Sequence, residues 1–130
     1  MEIMSKNRVV HFEIGAEDPE KLAEYYKKAF GWEINQWADS GYFMVGKEED
    51  RAEGAIFGGI MKRYEKEKTI NTIEVEDLDK AIADVESNGG TIVKPKASMP
   101  LGEDEVMWWC YAEDPQGNIF GLMQMVKHSK

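Results

Sequence analysis

The sequence predicts an α+β chain built from two copies of a βαβββ module. Three observations carry that expectation. Two helix-like segments have the same cap residues at the same spacing. Each follows one alternating, strand-like run and precedes three more. The tripeptide Ile-Phe-Gly recurs in the last run of each half, at Ile56-Phe57-Gly58 and Ile119-Phe120-Gly121. A repeat resting on several coincident positions is strong evidence about fold.

In the first half, RVVHFEI (8–14) alternates as a half-buried strand does. In AEDPEKLAEYYKKAFGW, Asp18 suits the N-cap and Pro19 the first helical position. Leu22, Tyr26, Ala29 and Phe30 fall on one helical face, and Gly31 suits the left-handed position after the helix end. WEINQWA, GYFMVGK and AIFGGIMKR read as three strands separated by turn residues. KRYEKEK is a charged linker. The pattern then restarts with the strand INTIEV. In the helix EDLDKAIADVESNGG, Asp77 is the N-cap, Leu78, Ala81, Ile82 and Val85 form the apolar face, and Asn88, Gly89 and Gly90 end it. TIVKP, EVMWWCYAE and NIFGLMQMV are the last three strands. Asp18 and Gly31 stand 59 positions before Asp77 and Gly90, whereas the two tripeptides stand 63 apart, so the extra residues belong to loops. The expected organisation is one domain over 1–130, with modules 8–62 and 69–126 joined by a linker at 63–68.

Composition narrows the function classes. Of 130 residues, 42% are hydrophobic and 32% charged, which suits an ordinary globule with a buried core. No apolar run reaches the roughly 18 residues of a membrane helix, and no secretory leader is recognisable, so a cytoplasmic location is expected. The net charge of -9 argues against nucleic acid and anionic membranes as partners. The single cysteine, Cys110, permits no intrachain disulfide or Cys-based zinc site and reads as a packing residue.

HFEI, EDPEKLAEYYKKAFGW, EVEDLDKAIADVESNGGTIV and DPQGNIFGLM resemble the vicinal oxygen chelate superfamily, which includes glyoxalase I, bleomycin resistance proteins and extradiol dioxygenases. The similarity covers about residues 8–126 and is nearest to the branch described as glyoxalase-related predicted proteins. The resemblance implies that the two modules form a partly closed mixed β-barrel around a cavity, with the helices outside. It also implies where a divalent metal would be held in the metal-using members: His on the first strand, Glu or another ligand on the fourth, His or Gln on the fifth and Glu on the eighth. Such an ion polarises adjacent substrate oxygens as a Lewis acid while keeping open coordination positions. Here the first strand has His11. The other positions align with Gly58, Ile70 and Gly121, and a one-residue shift brings only Gly59, Asn71 or Leu122. No metal and no other cofactor is therefore expected. The glycines read as space in place of charge.

Period-two alternation then gives the expected cavity lining: His11 and Glu13, Gly58 and Ile60, Ile70 and Thr72, Gly121 and Met123. His11 and Glu13 are the candidate acid–base pair, or else an ordinary polar pair on one strand face. Trp37, Tyr42 and Trp109 are the expected aromatic walls, although alternation alone leaves open which of Trp108 and Trp109 faces the cavity. The function implied is binding of a small apolar or aromatic molecule without the family's metal, with catalysis left open. Two alternatives stand beside it. One is a resistance protein sequestering a cationic drug at a dimer interface. The other is a metal-dependent lyase or dioxygenase with relocated ligands. The resemblance also implies a homodimer.

Overall fold

The computed structural model describes residues 7–47, 49, 53–63 and 68–127. Residues 64–67, most of the expected linker, lie outside that set. Among the described residues there are two helices and eight strands in the order β1 (Arg8–Ala16), α1 (Pro19–Phe30), β2 (Ile34–Gln36), β3 (Phe43–Val45), β4 (Phe57–Lys62), β5 (Thr69–Glu74), α2 (Leu78–Ser87), β6 (Thr91–Pro100), β7 (Glu105–Glu113) and β8 (Ile119–Lys127). They fall into two compact units, one within residues 10–71 and the other formed by 7–9 and 72–127.

Within the first unit the strand order is β2-β3-β4-β1, with β1 parallel to β4 and the other neighbours antiparallel. Asp18 caps α1 by accepting the Lys21 N–H at 3.1 Å, and Pro19 opens the helix. Gly31 ends it at φ 70°, where a side chain would be strained. Its N–H donates to the Lys27 carbonyl, and the Trp32 N–H donates to the Tyr26 carbonyl. This cap returns the chain across the helix, and the Trp32 ring stacks on Tyr26 at 4.5 Å between centroids. Ala23 of α1 packs on Ala16, Ile34, Val45 and Ile60 of the sheet, with Phe12, Ile14, Leu22 and Tyr26 around them.

The second unit repeats the plan with the order β5-β8-β7-β6 and β5 parallel to β8. Asp77 accepts the Lys80 N–H at 3.1 Å, the same cap as in the first half. The Gln124 side chain on β8 accepts the Leu78 N–H at 2.9 Å and ties the start of α2 to the sheet. Leu78 packs with Val75, Cys110 and Leu122. Trp108 lies against this cluster, on the helix side, and Lys96 covers its ring at 5.1 Å. Burial pushes the Cys110 thiol up to about 11, as suits a packing residue.

Three strand lengths differ from the expectation. β2 and β3 have only three residues each, because the turn between them takes up residues 37–41, with Ala38 at φ 50° and Gly41 at φ 82°. β6 continues past Pro95 to Pro100, although proline has no N–H for a ladder. A register shift between Ile92 and Lys94 is followed by one between Lys94 and Ala97 that contains Pro95, placing it in an irregularity where that N–H is not required.

The turn before β8 is built around one carboxylate. Asp114 accepts the N–H groups of Gln116 and Asn118, both at 2.9 Å, and the Asn118 side-chain amide at 3.0 Å. Gly117 takes φ 90° and closes the turn. The bonds from Asn118, and then those from Gln116 and Gly117, hold the Asp114 carboxyl below its ordinary range. A carboxyl lowered in the folded state stabilises it at pH values above the unfolded carboxyl's titration, about 3.9, and loses that contribution as pH falls further. Asp114→Ala should therefore melt below the wild type at pH 7, with the difference shrinking as the pH is lowered toward 3. Paired thermal melts across that range measure it, and a difference that does not shrink contradicts the account.

Candidate functional site

The register of β1 on β4 decides which side chains meet. His11 lies beside Phe57, Phe12 beside Gly58, Glu13 beside Gly59 and Ile14 beside Ile60. Neighbours in register point to the same face of a sheet. Phe12, Ile14 and Ile60 face α1 in the core. His11 and Glu13 therefore face away from the helix, with Gly59 rather than Gly58. This corrects the expectation at two positions. Gly58 and Ile60 belong to the core face, where Ile60 is completely buried. A Cβ on Gly58 would lie 2.2 Å from the Phe12 ring, so that glycine makes room for a phenylalanine.

The face away from α1 carries the polar cluster. Tyr42 follows the β2–β3 turn, and its ring crosses Gly59 so closely that a Cβ there would stand 2.0 Å from the phenol oxygen. The hydroxyl donates to Glu13 Oε2 at 2.8 Å. It also lies 3.1 Å from His11 Nε2, and that nitrogen is 3.8 Å from the same carboxylate oxygen. Glu13 is buried, and the bonded Tyr42 hydroxyl offsets the cost of placing its carboxylate there. The His11 side chain retains 29% exposure. Sequence reasoning named all three residues but read Tyr42 only as an aromatic wall. The one available signal was the doublet Gly58-Gly59, which leaves adjacent positions on opposite faces of a strand bare.

The remaining expected residues separate. Trp37 is 51% exposed, and its N–H donates to the Tyr42 carbonyl at 2.8 Å across the turn. Met44, in register with Gly59, shares the face of Glu13 and is 44% exposed. Ile70 is buried. In the second unit, Thr72 pairs with Gly121, Tyr111 also pairs with Gly121, and Trp109 pairs with Met123. Their alternate neighbours Ile73, Cys110 and Leu122 pack toward α2, so Thr72, Trp109, Gly121 and Met123 lie on the face away from that helix. Trp109 is thus the tryptophan facing away from the helix. Trp108 is packed inward, so it lends no support to a partner-covered surface. A Cβ on Gly121 would stand 2.7 Å from the Thr72 hydroxyl oxygen, so this glycine, too, accommodates a neighbouring side chain rather than open space.

The donors do not fit a metal of the kind the resemblance implies. Gly58, Gly59, Ile70, Gly121 and Leu122 supply no ligand, and Asn71 supplies only an amide. Among the described residues, no group of three or more His, Cys, Asp or Glu is gathered for an ion. A depression beside the start of α2, near Asn7, Val75 and Asp84, measures about 160 Å³. That is below the roughly 300 Å³ typical of small-molecule pockets. No helix among the described residues is long and apolar enough to cross a membrane.

The chain belongs to the glyoxalase/bleomycin resistance protein/dioxygenase superfamily, whose family model matches residues 8–122. No curated protein matches the sequence at a significant level. Solved structures share the fold at low identity. A glyoxalase/bleomycin resistance protein/dioxygenase superfamily member from Vibrio splendidus 12B01 is 13% identical, over 92% of this chain and 99% of that one, with a TM-score of 0.66. A variant of the Streptomyces coelicolor methylmalonyl-CoA epimerase in complex with 2-nitronate-propionyl-CoA is 15% identical, over 97% and 100%, with a TM-score of 0.59. The Mn(II)-bound glyoxalase from Novosphingobium aromaticivorans is 18% identical, over 96% of this chain and 40% of that one, with a TM-score of 0.57.

Gly59→Ala should expel the Tyr42 ring and leave the buried Glu13 carboxylate without that donor. The expected cost is about 1–3 kcal/mol in urea unfolding. In a Tyr42→Ala background the same change should cost much less. Additive effects in this double-mutant cycle would show that the two residues do not meet.

Proposed function

We propose that the protein binds a small apolar or aromatic organic molecule against the sheet face of its first unit that carries His11, Tyr42 and Glu13, without the metal of the superfamily's metal-using members. The observation supporting this most directly is the bridged cluster itself. A buried carboxylate and a phenol hold a partly exposed imidazole on the face left free by α1. Met44 shares that face and adds soft apolar surface next to the polar anchor. A few convergent polar groups beside apolar surface are what small-molecule sites present. The alternative of a relocated metal centre draws no support from the donor set, since among the described residues no group of three or more His, Cys, Asp or Glu is gathered around His11. A drug-sequestering role at a dimer interface draws no support from Trp108, which is packed inward.

A thermal-shift screen of small aromatic and aliphatic compounds tests the reading. Compounds that raise the melting temperature should bind His11→Ala about tenfold more weakly, the loss expected for one hydrogen bond. They should bind Lys80→Ala, altered in the depression beside α2, as they bind the wild type. Hits unaffected by His11→Ala, or abolished by Lys80→Ala, would place binding elsewhere.

A further inference from the structure

We infer that Tyr42 and Glu13 lock the proton of neutral His11 on Nε2, so that Nδ1 is the atom offered to a ligand and the ligands recognised carry a hydroxyl or N–H donor on an apolar or aromatic body. This rests on the binding face proposed above and adds the chemical class that the face selects.

The argument starts at the carboxylate. Ionised Glu13 can only accept hydrogen bonds, so the Tyr42 hydroxyl at 2.8 Å spends its single hydrogen there. The phenol oxygen then has only lone pairs left for His11 Nε2 at 3.1 Å. Two lone pairs facing each other at that distance repel, so Nε2 carries the hydrogen and donates. A neutral imidazole with hydrogen on one nitrogen is an acceptor at the other. Nδ1 makes no hydrogen bond to a described residue, and the His11 side chain, 29% exposed, is more open than that of Glu13, at 11%. Nδ1 therefore presents a lone pair. A ligand with a donor there completes the chain donor–Nδ1, Nε2–H–phenol oxygen, phenol O–H–carboxylate, with every hydrogen placed. A ligand offering only an acceptor meets a lone pair and loses that bond. Tyr42 and Glu13 are positioning residues in this scheme, since they act on the ligand through the imidazole.

The test uses the full chain with histidine labelled in nitrogen-15. It has two histidines, His11 and His128, and His128→Gln assigns the signals. At pH 8, long-range nitrogen–proton spectra should show His11 with its hydrogen on Nε2. Tyr42→Phe should redistribute it between the two nitrogens, a change that loss of packing alone would not produce. Phenol and anisole, which differ by the donor hydrogen, are then titrated as matched probes. Phenol should bind about tenfold more tightly and shift the Nδ1 resonance, and the preference should vanish in His11→Ala. Hydrogen found on Nδ1 in the wild type overturns the inference. Equal binding of the two probes at His11 overturns the donor preference and leaves the binding face standing. If neither probe reaches His11, the aromatic-binding reading of the face falls, and the donor preference falls with it.

Discussion

Two consecutive glycines on β4 let aromatic rings approach the strand from both sides. Phe12 covers Gly58 on the side of α1, and Tyr42 covers Gly59 on the other. A single Cβ at either place would occupy space already filled by a ring. The first approach contributes to the core, because Phe12 joins the cluster around Ile60 and Trp32. The second organises the candidate site, since the phenol lying over bare backbone is what reaches both Glu13 and His11. Backbone exposure, which usually weakens a strand, is here what lets the core and the site share one strand back to back.

Helix α1 and helix α2 were legible because their ends are chemically explicit. Asp18 and Asp77 can satisfy free N–H groups at the helix starts, and Gly31 can take a left-handed turn that other residues resist. Most strands were legible from alternation, and the family likeness from the motifs distributed along the chain. The shortness of β2 and β3 was not, because it depends on a turn that recruits Ala38 into positive φ. The extension of β6 was hidden by Pro95, which reads as a stop unless the irregular register around it is known.

The cluster of His11, Glu13 and Tyr42 was legible in its members but not in their arrangement. His11 and Glu13 sit two apart on one strand, so their common face follows from the pleat alone. Tyr42 is about 30 residues away from both, and its role depends on the register of β3 against β4 and of β4 against β1. A one-residue difference in that register exchanges Gly58 for Gly59 and turns a core position into a site position. The same sensitivity explains why Ile60, expected beside the ligand, is the most deeply buried side chain near α1.

The irregular path of β6 bears on how copies of this chain can meet. A regular outer strand presents a row of free N–H and C=O groups that invites another chain to extend the sheet. On β6, Pro95 and Pro100 remove two of the donors, and the register shifts break the spacing of the rest. That strand is thereby a poor template for edge-to-edge pairing with another chain.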